Sequence, residues 1–450
     1  MVELMQRRKI LRDGLDAAAG LTWMAIAPQS RALGANERLR LGIIGLRQQG
    51  TVNMMDFCSV PDVEIAALCD VDESQFAKPL KVLSDAGRPK PALFRDLRKL
   101  LEQKDIHAVS IATPNHWHSL AAIWACQAGK DVHVEKPGSH NLFEGRKMVE
   151  AARKYNRIVQ HGTEQRSSAT QQAGIRFLQE GGLGEIYMAK GLCYKWRDTI
   201  GRLPEEPVPS GVDYDLWLGP APRRSFSRNR FHYNWHWHWE YGNGDIGNQG
   251  VHELDVARWG LGVKLPGRIT SVGSHFMFND DQETANWQIA LFEFPDAIAS
   301  GDKKKVLQFE VRHWMGNHEA SFFAGRENEI GNIFYGTKGY MTMTVNGWQT
   351  FLGQDQKPGP SAKGEGNNRY ALDHARNFIE AVRKRDNALH FGDIEEGHYT
   401  CALIHLANAS HRLKRSLIFD PATETCSGDP EADRMLAGSY RKPFIVPEQV

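Results

Sequence analysis

The segment from Asn234 to Trp259, NWHWHWEYGNGDIGNQGVHELDVARW, mixes aromatic rings, imidazoles and carboxylates with glycines. Such a mixture is typical of a metal site, of an aromatic core segment, or of the wall of a pocket for a polar, ring-shaped ligand. His236 and His238 alternate with tryptophans, so in an extended segment both point to one face, as metal ligands can. No Cys, His or carboxylate set at an established spacing accompanies them, and we therefore predict no metal.

The aromatic residues favour a carbohydrate ligand, because tryptophan and tyrosine offer flat apolar faces for C–H groups and a polar edge for hydroxyls. Trp237 and His238 are therefore predicted substrate contacts, and the remaining aromatic residues are equally well explained as core. Three further side chains have chemistry that suits hydroxyl recognition: Arg166, after the run RIVQHGT, and Tyr194 and Arg197, in KGLCYKWR.

A helix that begins near Asp245 would place Asp245, Asn248 and His252 on one face. An imidazole, with an ordinary pKa of about 6.5, accepts a proton near neutrality, whereas an amide cannot. His252 is therefore the candidate base or proton relay, and Asn248 can only position a ligand. Asp245 is either a charged group of the site or the N-cap of the helix.

Two domains must position these residues. From Leu39, short apolar strands alternate with amphipathic helices, which predicts a parallel sheet covered on both faces and a Rossmann dinucleotide-binding domain over residues 36–160. Over 161–450, strand-like runs such as TANWQIALFEF predict an α+β substrate domain with a mostly antiparallel sheet that is covered on one face. The fold class is thus α/β, and the polar stretch 353–368 is predicted to be a long loop.

The turn after the first strand, Gly45 to Gly50, departs from the pattern G-x-G-x-x-G because Arg47 stands at its middle glycine. Arg47 either pairs with a phosphate or hinders the dinucleotide. Asp70 closes the second strand, where an acid accepts hydrogen bonds from ribose hydroxyls and repels a 2′-phosphate, which favours NAD over NADP. The predicted cofactor residues in these two turns are Gly45, Leu46, Arg47, Gln48, Gly50 and Asp70.

Two later loops, TPNHWH at 113–118 and EKP at 135–137, complete an ordered set of motifs. From about residue 39 to about residue 415 the chain resembles the Gfo/Idh/MocA oxidoreductase family, which carries TP-x-x-x-H and EKP after these strands. The resemblance implies NAD as cofactor and an open sheet that often forms a homodimer or homotetramer interface. It adds to the cofactor residues Thr113, Asn115, His118, Glu135 and Lys136.

In this family a helix carries D-x-x-x-H, with the histidine near the reacting carbon and the EKP lysine opposite. GVHELD aligns that histidine with His252, and Asn248 stands where the aspartate is expected. Hydride transfer requires that the hydroxyl proton leave as the C–H bond breaks, so Lys136 and His252 are the predicted catalytic pair. Trp217, in DYDLWLGPAP, either approaches the cofactor or packs that turn.

The composition and the N-terminal segment limit which partners and which cellular location the sequence predicts. The net charge of +1 over 450 residues gives no field that would gather nucleic acid, so a small carbohydrate is the predicted partner. Residues 1–35, with Arg7-Arg8-Lys9 and the apolar run AAAGLTWMAIAP, resemble a twin-arginine export signal; otherwise they form an N-terminal helix or a disordered segment of a cytoplasmic protein. No later apolar run reaches the roughly 18 residues of a membrane span.

These observations predict a periplasmic or otherwise exported oxidoreductase that acts on a sugar, polyol or glycoside. An exported enzyme cannot easily exchange NAD with a cytoplasmic pool, so the cofactor is expected to be tightly bound. One alternative is an NAD-dependent glycosidase, as some exported relatives are, in which transient oxidation, elimination and re-reduction cleave the glycoside. The other is a non-catalytic carbohydrate-binding protein, which Arg47 and Asn248 favour.

Overall fold

The computed structural model describes residues 38–295, 304–314, 328–364 and 370–450. The predicted export signal, residues 1–35, lies outside these ranges. None of the helices within them has the length and apolarity that crossing a bilayer requires.

The described strands form two sheets. Those of the first sheet are β1 (Leu39–Ile44), β2 (Val63–Cys69), β3 (Ala92–Phe94), β4 (Ala108–Ile111), β5 (Asp131–Val134) and β6 (Val159–His161). Those of the second are β7 (Ile186–Tyr194), β8 (Arg268–Ser274), β9 (Trp287–Pro295), β10 (Lys304–Arg312), β11 (Glu329–Gly336), β12 (Gly339–Thr344), β13 (Gly347–Leu352), β14 (Lys357–Lys363), β15 (Leu417–Asp420) and β16 (Thr425–Cys426).

The α-helices surround these sheets, and short 3-10 turns link some of the elements. In chain order they are α1 (Gln48–Cys58), α2 (Ala77–Asp85), α3 (Leu97–Leu101), α4 (Asn115–Gln127), α5 (Leu142–Lys154), α6 (Ala169–Gln179), α7 (Tyr214–Leu218), α8 (Gly244–Asn248), α9 (Gly250–Leu261), α10 (Tyr370–Lys384), α11 (Ile394–Leu413) and α12 (Pro430–Ala437).

The first sheet has the order β3-β2-β1-β4-β5-β6, and all its paired strands are parallel. Its inner strands are buried along nearly their whole length, as β4 and β5 show, because helices cover both faces, whereas the edge strand β3 is largely exposed. The predicted Rossmann-type sheet is confirmed. Its last strand, β6, runs across the boundary predicted at residue 160.

A helix from late in the chain completes the first domain. Leu372 and Phe378 of α10 lie in the same hydrophobic cluster as Leu41 of β1 and Met54 of α1. The amphipathic pattern of α10 predicts a buried face, but it does not indicate which sheet that face covers.

The second sheet has the order β14-β13-β12-β11-β7-β10-β9-β8-β15-β16, and β7 and β10 form its parallel pair. One face packs against α9 and α11, and alternate residues of β9, such as Ala290 and Phe292, are buried there. The other face leaves Val272, Leu291 and Ile418 exposed. The predicted open, mostly antiparallel sheet is therefore confirmed.

The long loop predicted over 353–368 is wrong in its central part. Lys357–Lys363 forms β14, which pairs with β13 at the edge of the second sheet. Its sequence, KPGPSAK, has the prolines and glycine that predict a loop, but an edge strand tolerates proline because one side of its backbone has no strand partner.

The segment that opened the sequence analysis also folds differently from the prediction. His232–Trp237 forms a 3-10 helix, so His236 and His238 do not alternate as in a strand. The single helix expected from Asp245 is divided into α8 and α9, which meet at Gln249.

Candidate active site

A cleft opens at the carboxyl ends of β1 and β4, where the strand order of the first sheet reverses and ligands of such sheets bind. Gly45 has a φ of 85°, and a Cβ there would lie 2.6 Å from the carbonyl oxygen of Ala112. A Cβ on Gly50 would lie 1.7 Å from the carbonyl oxygen of Gly45. Arg47 has a φ of −64°, which any residue adopts. The turn thus requires its outer glycines and accommodates arginine at the middle position.

The exposed Arg47 side chain lies near titratable groups of both domains. Burial lowers its pKa, while the charges of Asp72 and Tyr233 act in the opposite direction. Asp72 also accepts a 2.9 Å hydrogen bond from Nε2 of His232. Arg47 therefore stands beside the loop 232–236 that covers one side of the cleft.

Asp70 holds the glycine turn and keeps room for a ligand. Its Oδ2 accepts from the amide of Leu46 at 2.8 Å, and its Oδ1 accepts from the amide of Asp72 at 2.9 Å. A carboxylate has about four acceptor positions, so about two remain for ribose hydroxyls. Burial raises the pKa of Asp70 to about 6.

The segment after β4 presents unsatisfied polar atoms to the cleft. Oγ1 of Thr113 and Oδ1 of Asn115 are buried without a hydrogen-bond partner within the described ranges. His118 joins this segment to the loop after β5, since its Nε2 contacts the carbonyl of Thr113 at 2.6 Å and its Nδ1 that of Pro137 at 2.7 Å. Buried polar atoms without partners are costly, and a polar cofactor would satisfy them. The residues present therefore fit NAD.

Trp217 reaches the same cleft from α7. The residue lines the cleft, and its carbonyl oxygen accepts from the indole Nε1 of Trp117 at 3.0 Å. The residue is thus both a packed part of its turn and a wall of the cleft. All the predicted cofactor residues except Gly50 line this cleft: Gly45, Leu46, Arg47, Gln48, Asp70, Thr113, Asn115, His118, Glu135, Lys136 and Trp217.

The two domains meet at Lys136. Its Nζ donates to the backbone carbonyl of Asn248 at 2.9 Å, and both residues line the cleft. His252 is not a lining residue, and its Nδ1 is buried without a partner among the described residues. Burial, followed by the charge of Lys136, lowers the pKa of His252 well below its ordinary value, so its imidazole is neutral.

Tyr233, Trp235 and His236 also line the cleft, and they were not among the predicted site residues. His236 donates from Nδ1 to the carbonyl of Tyr233 at 2.5 Å, which leaves Nε2 as the acceptor atom. Burial lowers the pKa of His236 to about 3, so the ring is neutral. The aromatic run around Asn234 was the available signal, but only the 3-10 helix shows which of its rings face the cleft.

Two family models match the chain. The model described as oxidoreductase family, NAD-binding Rossmann fold, matches residues 39–163, and that described as oxidoreductase family, C-terminal alpha/beta domain, matches 185–301 and 370–446. Together they cover well over half of the chain. The chain belongs to the Gfo/Idh/MocA oxidoreductase family. The predicted family and its NAD-binding fold are confirmed.

Curated relatives of this Gfo/Idh/MocA member match it over part of their length. A glycosyl hydrolase family 109 protein of Saccharopolyspora erythraea is 30% identical over 205 residues, which is 41% of this chain and 45% of the relative. A protein of the same description from Stenotrophomonas maltophilia is 35% identical over 130 residues, 28% of this chain and 29% of the relative. The chain thus matches less than half the length of these relatives.

Solved structures share the fold. A levoglucosan dehydrogenase in complex with NADH and levoglucosan is 19% identical, with a TM-score of 0.63 over 84% of this chain and 99% of its own. GenD2 from gentamicin A biosynthesis, in complex with NAD, is 16% identical, with a TM-score of 0.62 over 88% and 100%. At these identities the likeness shows the fold alone.

Arg166, a predicted substrate contact, is instead held inside this family member. Its Nε and Nη2 donate to Asp255 at 2.7 and 2.9 Å, and Nη2 also contacts Glu396 at 3.3 Å. Arg166 and Asp255 are both buried, and neither lines the cleft. The pairing within the second domain removes Arg166 from the proposed sugar contacts.

Tyr194 and His238 are also turned away from the cleft. Tyr194 donates its hydroxyl to Glu310 at 2.8 Å, on the sheet face opposite to that of its neighbour Cys193, because side chains alternate along a strand. Nε2 of the buried His238 contacts the carbonyl of Asn229 at 2.9 Å. The prediction of both as substrate contacts is not supported by their placement.

Arg197 contacts Asp245, Trp237 and the lining residue Tyr233. Arg197, Asp245 and Trp237 do not themselves line the cleft. The Arg197 guanidinium lies over the Trp237 ring, with its carbon 4.9 Å from the ring centroid. Asp245 is not the N-cap of α8, a position that Asn243 occupies, so the capping alternative is wrong. Within the described ranges no cluster of three or more His, Cys, Asp or Glu side chains is arranged to hold a metal ion.

Proposed function

We propose that this chain is an NAD-dependent oxidoreductase that transfers hydride between NAD and a CH–OH group of a sugar, polyol or glycoside. The observation that carries the proposal is the hydrogen bond from Lys136 to the Asn248 carbonyl. It places an ammonium group at the meeting of the two domains, in the same cleft as Asp70 and the glycine turn. A cofactor on the first domain and a substrate on the second would meet there.

The side chains at this point can hold a reacting hydroxyl. NAD, when bound, supplies a hydride acceptor at its nicotinamide ring. Lys136 has three N–H donors, and two remain after its bond to Asn248, so it can donate to the substrate oxygen. The neutral imidazole of His252 is proposed to accept a hydrogen bond and relay a proton. Asn248, an amide, only positions.

The substrate class follows from the rings that line the cleft. Tyr233, Trp235 and His236 offer flat faces with polar edges, which suits the C–H faces and hydroxyls of a carbohydrate. The family 109 glycosyl hydrolases and the levoglucosan dehydrogenase that resemble this chain are named for carbohydrate substrates, which supports the same substrate class.

A second candidate is an NAD-dependent glycosidase, and the family 109 relatives favour it. Such an enzyme oxidises a hydroxyl transiently, eliminates the aglycone because the adjacent C–H has become acidic, adds water and returns the hydride. A redox-neutral cycle suits an exported protein with tightly bound NAD. Net formation of an oxidised sugar identifies a dehydrogenase, whereas cleavage without net redox change identifies the glycosidase.

We also propose export by the segment 1–35 and assembly into a homodimer or homotetramer. Apolar Val272, Leu291 and Ile418 on the uncovered sheet face support assembly. Fusing residues 1–35 to a reporter that requires twin-arginine transport tests export. Light scattering tests assembly, and Leu291→Asp is expected to yield the monomer.

The first test of function is chemical. The purified protein is denatured, and any released nucleotide is identified by mass spectrometry. Near-stoichiometric NAD or NADH, followed by turnover on a panel of glycosides and polyols, is the expected result. A protein that is empty and does not bind added NAD would overturn the proposal and leave the alternative of a non-catalytic carbohydrate-binding protein.

A further inference from the structure

Tyr233 occupies a constrained position over the cleft. The preceding residue, His232, has a φ of 46°, in the left-handed region that residues other than glycine rarely adopt. His232 is held there by its hydrogen bond to Asp72, on the first domain. The Tyr233 carbonyl is held in turn by His236. A strained backbone that is held on both sides fixes the direction of the side chain it carries.

The phenol oxygen of Tyr233 faces two donors. Nη1 of Arg197 lies 3.0 Å from it, and Nδ2 of Asn248 makes a longer contact of 3.5 Å. Arg197 is fixed by two hydrogen bonds of 2.6 Å to Asp245, which also contacts Nε2 of His313 at 3.0 Å. Hydrogen bonds from two N–H groups stabilise negative charge on the oxygen that accepts them.

The charged groups around Tyr233 come from several elements. Arg197 follows β7, Asp245 lies on α8, Arg47 precedes α1, and the neutral His236 belongs to the same loop as Tyr233. Burial by itself raises the pKa of the phenol, but the charge of Arg197 and the hydrogen bonds from Asn248 and Arg197 outweigh it, so the pKa is lowered. Asp245 opposes this effect.

We propose that Tyr233 is the group that accepts the substrate hydroxyl proton, with Arg197 and Asp245 as positioning residues; the inference rests on the proposed oxidoreductase function. NAD, when bound, would accept the hydrogen of the substrate C–H bond together with its electron pair, as hydride. The O–H bond breaks, its proton passes to the Tyr233 phenolate, and the carbonyl double bond forms. Tyr233 is 44% exposed, so its proton can then pass to water.

Contacts at Asn248 connect this residue to the rest of the site. The Asn248 carbonyl accepts from Lys136, and its amide contacts the Tyr233 oxygen. A substrate hydroxyl that binds to Lys136 would therefore lie next to the same residue, Asn248, as the Tyr233 phenolate. The neutral His252, with its lowered pKa, is a weaker base than an ordinary histidine and serves as hydrogen-bond partner or relay.

The test compares the wild-type protein with Tyr233→Phe. As a control, Tyr187→Phe removes the hydroxyl of an exposed tyrosine on β7. In a pH titration followed by the near-ultraviolet absorbance of tyrosinate, one tyrosine should ionise before the others in wild type and in Tyr187→Phe, but not in Tyr233→Phe. With an active glycoside or polyol, kcat/KM should rise with pH over that ionisation, and Tyr233→Phe should lower it by about 10²- to 10⁴-fold with NAD still bound.

Arg197→Lys keeps the positive charge but loses the two-point geometry. It should move the rising limb of the pH profile to higher pH, a change that a merely structural role does not produce. If Tyr233→Phe turned over substrate at the wild-type rate and with the wild-type pH profile, the Tyr233 inference alone would be overturned. A wild-type protein that binds no NAD and turns over no substrate would instead overturn the proposed function.

Discussion

Asp245 binds Arg197 through two hydrogen bonds of 2.6 Å each, and the carboxylate is completely buried. Removing either partner would leave the other charge unpaired away from water, which is strongly unfavourable. Burial opposes ionisation of Asp245, but Arg197 and His313 outweigh it and hold its pKa well below the ordinary value. Asp245, the acid nearest to Asn248 on α8, is therefore neutralised by Arg197 and His313. It influences the cleft by positioning Arg197.

Asn248→Asp restores the carboxylate that the family carries at this position. The backbone carbonyl that accepts from Lys136 is unchanged, but the phenol of Tyr233 loses an N–H donor and gains a nearby negative charge. The pKa of Tyr233 should rise, so the rising limb of kcat/KM should move to higher pH. A pH profile of the variant measures this, and a limb that moves to lower pH would contradict the arrangement.

Lys136→Met should lower kcat/KM by about 10²- to 10⁴-fold, because an orienting and proton-handling group is lost. The side chain is close to isosteric, and Asp70 and the glycine turn remain, so NAD should still be recovered from the denatured variant. Lys81→Met, on an exposed lysine of α2, is the matched control. Equal losses in both variants would show that the effect is not specific to the cleft.

Gly50→Ala and Arg47→Gly test which positions of the glycine turn require glycine and which do not. A methyl group on Gly50 would clash with the Gly45 carbonyl 1.7 Å away, so the variant should lose NAD and about 3 kcal/mol of unfolding free energy. Arg47→Gly should retain the cofactor, since the backbone of Arg47 needs no glycine. Equilibrium dialysis with NAD and urea denaturation measure both effects. Loss of NAD in Arg47→Gly with normal stability would show that the guanidinium itself contacts the cofactor.

The cofactor half of the site could be predicted from sequence, whereas the substrate half largely could not. Residues that follow parallel strands meet at one edge of the sheet, which predicts the place of Asp70, and the family resemblance adds Thr113 and Lys136 at the same edge. Arg166 and Tyr194 were chosen by chemical type, and their directions depend on pairings with Asp255 and Glu310, which are distant in sequence.

Conversely, Tyr233 lies at the site although the sequence did not predict it. It directly precedes the aromatic segment 234–259, yet nothing in its local sequence predicts the positive φ of His232 or the contact with Arg197. Likewise, the pattern of β14 predicts a loop, because proline and glycine indicate a turn unless the strand is known to lie at an edge.

NAD affinity should depend on the ionisation of Asp70. Ribose hydroxyls donate to the carboxylate, so NAD binds the ionised form, whose pKa in the free protein is raised to about 6 by burial. Affinity should be constant above that pH and fall by up to about tenfold per pH unit below it. Asp70→Asn should bind NAD more weakly and lose this dependence between pH 5 and pH 7. Titration by calorimetry at several pH values measures it; the same slope in wild type and variant would assign the dependence to another group.

Arg166→Met tests whether this arginine stabilises the fold or binds sugar. Asp255 would lose two of its hydrogen bonds and keep only the Thr400 hydroxyl and the longer contact with Arg258 at 3.8 Å, so the free energy of unfolding should fall by about 3 kcal/mol. KM for the sugar should not change in the folded fraction, because Arg166 does not line the cleft. Arg176→Met, on the exposed face of α6, should change neither quantity. Urea denaturation together with steady-state kinetics separates the effects, and a raised KM with wild-type stability would return Arg166 to the substrate contacts.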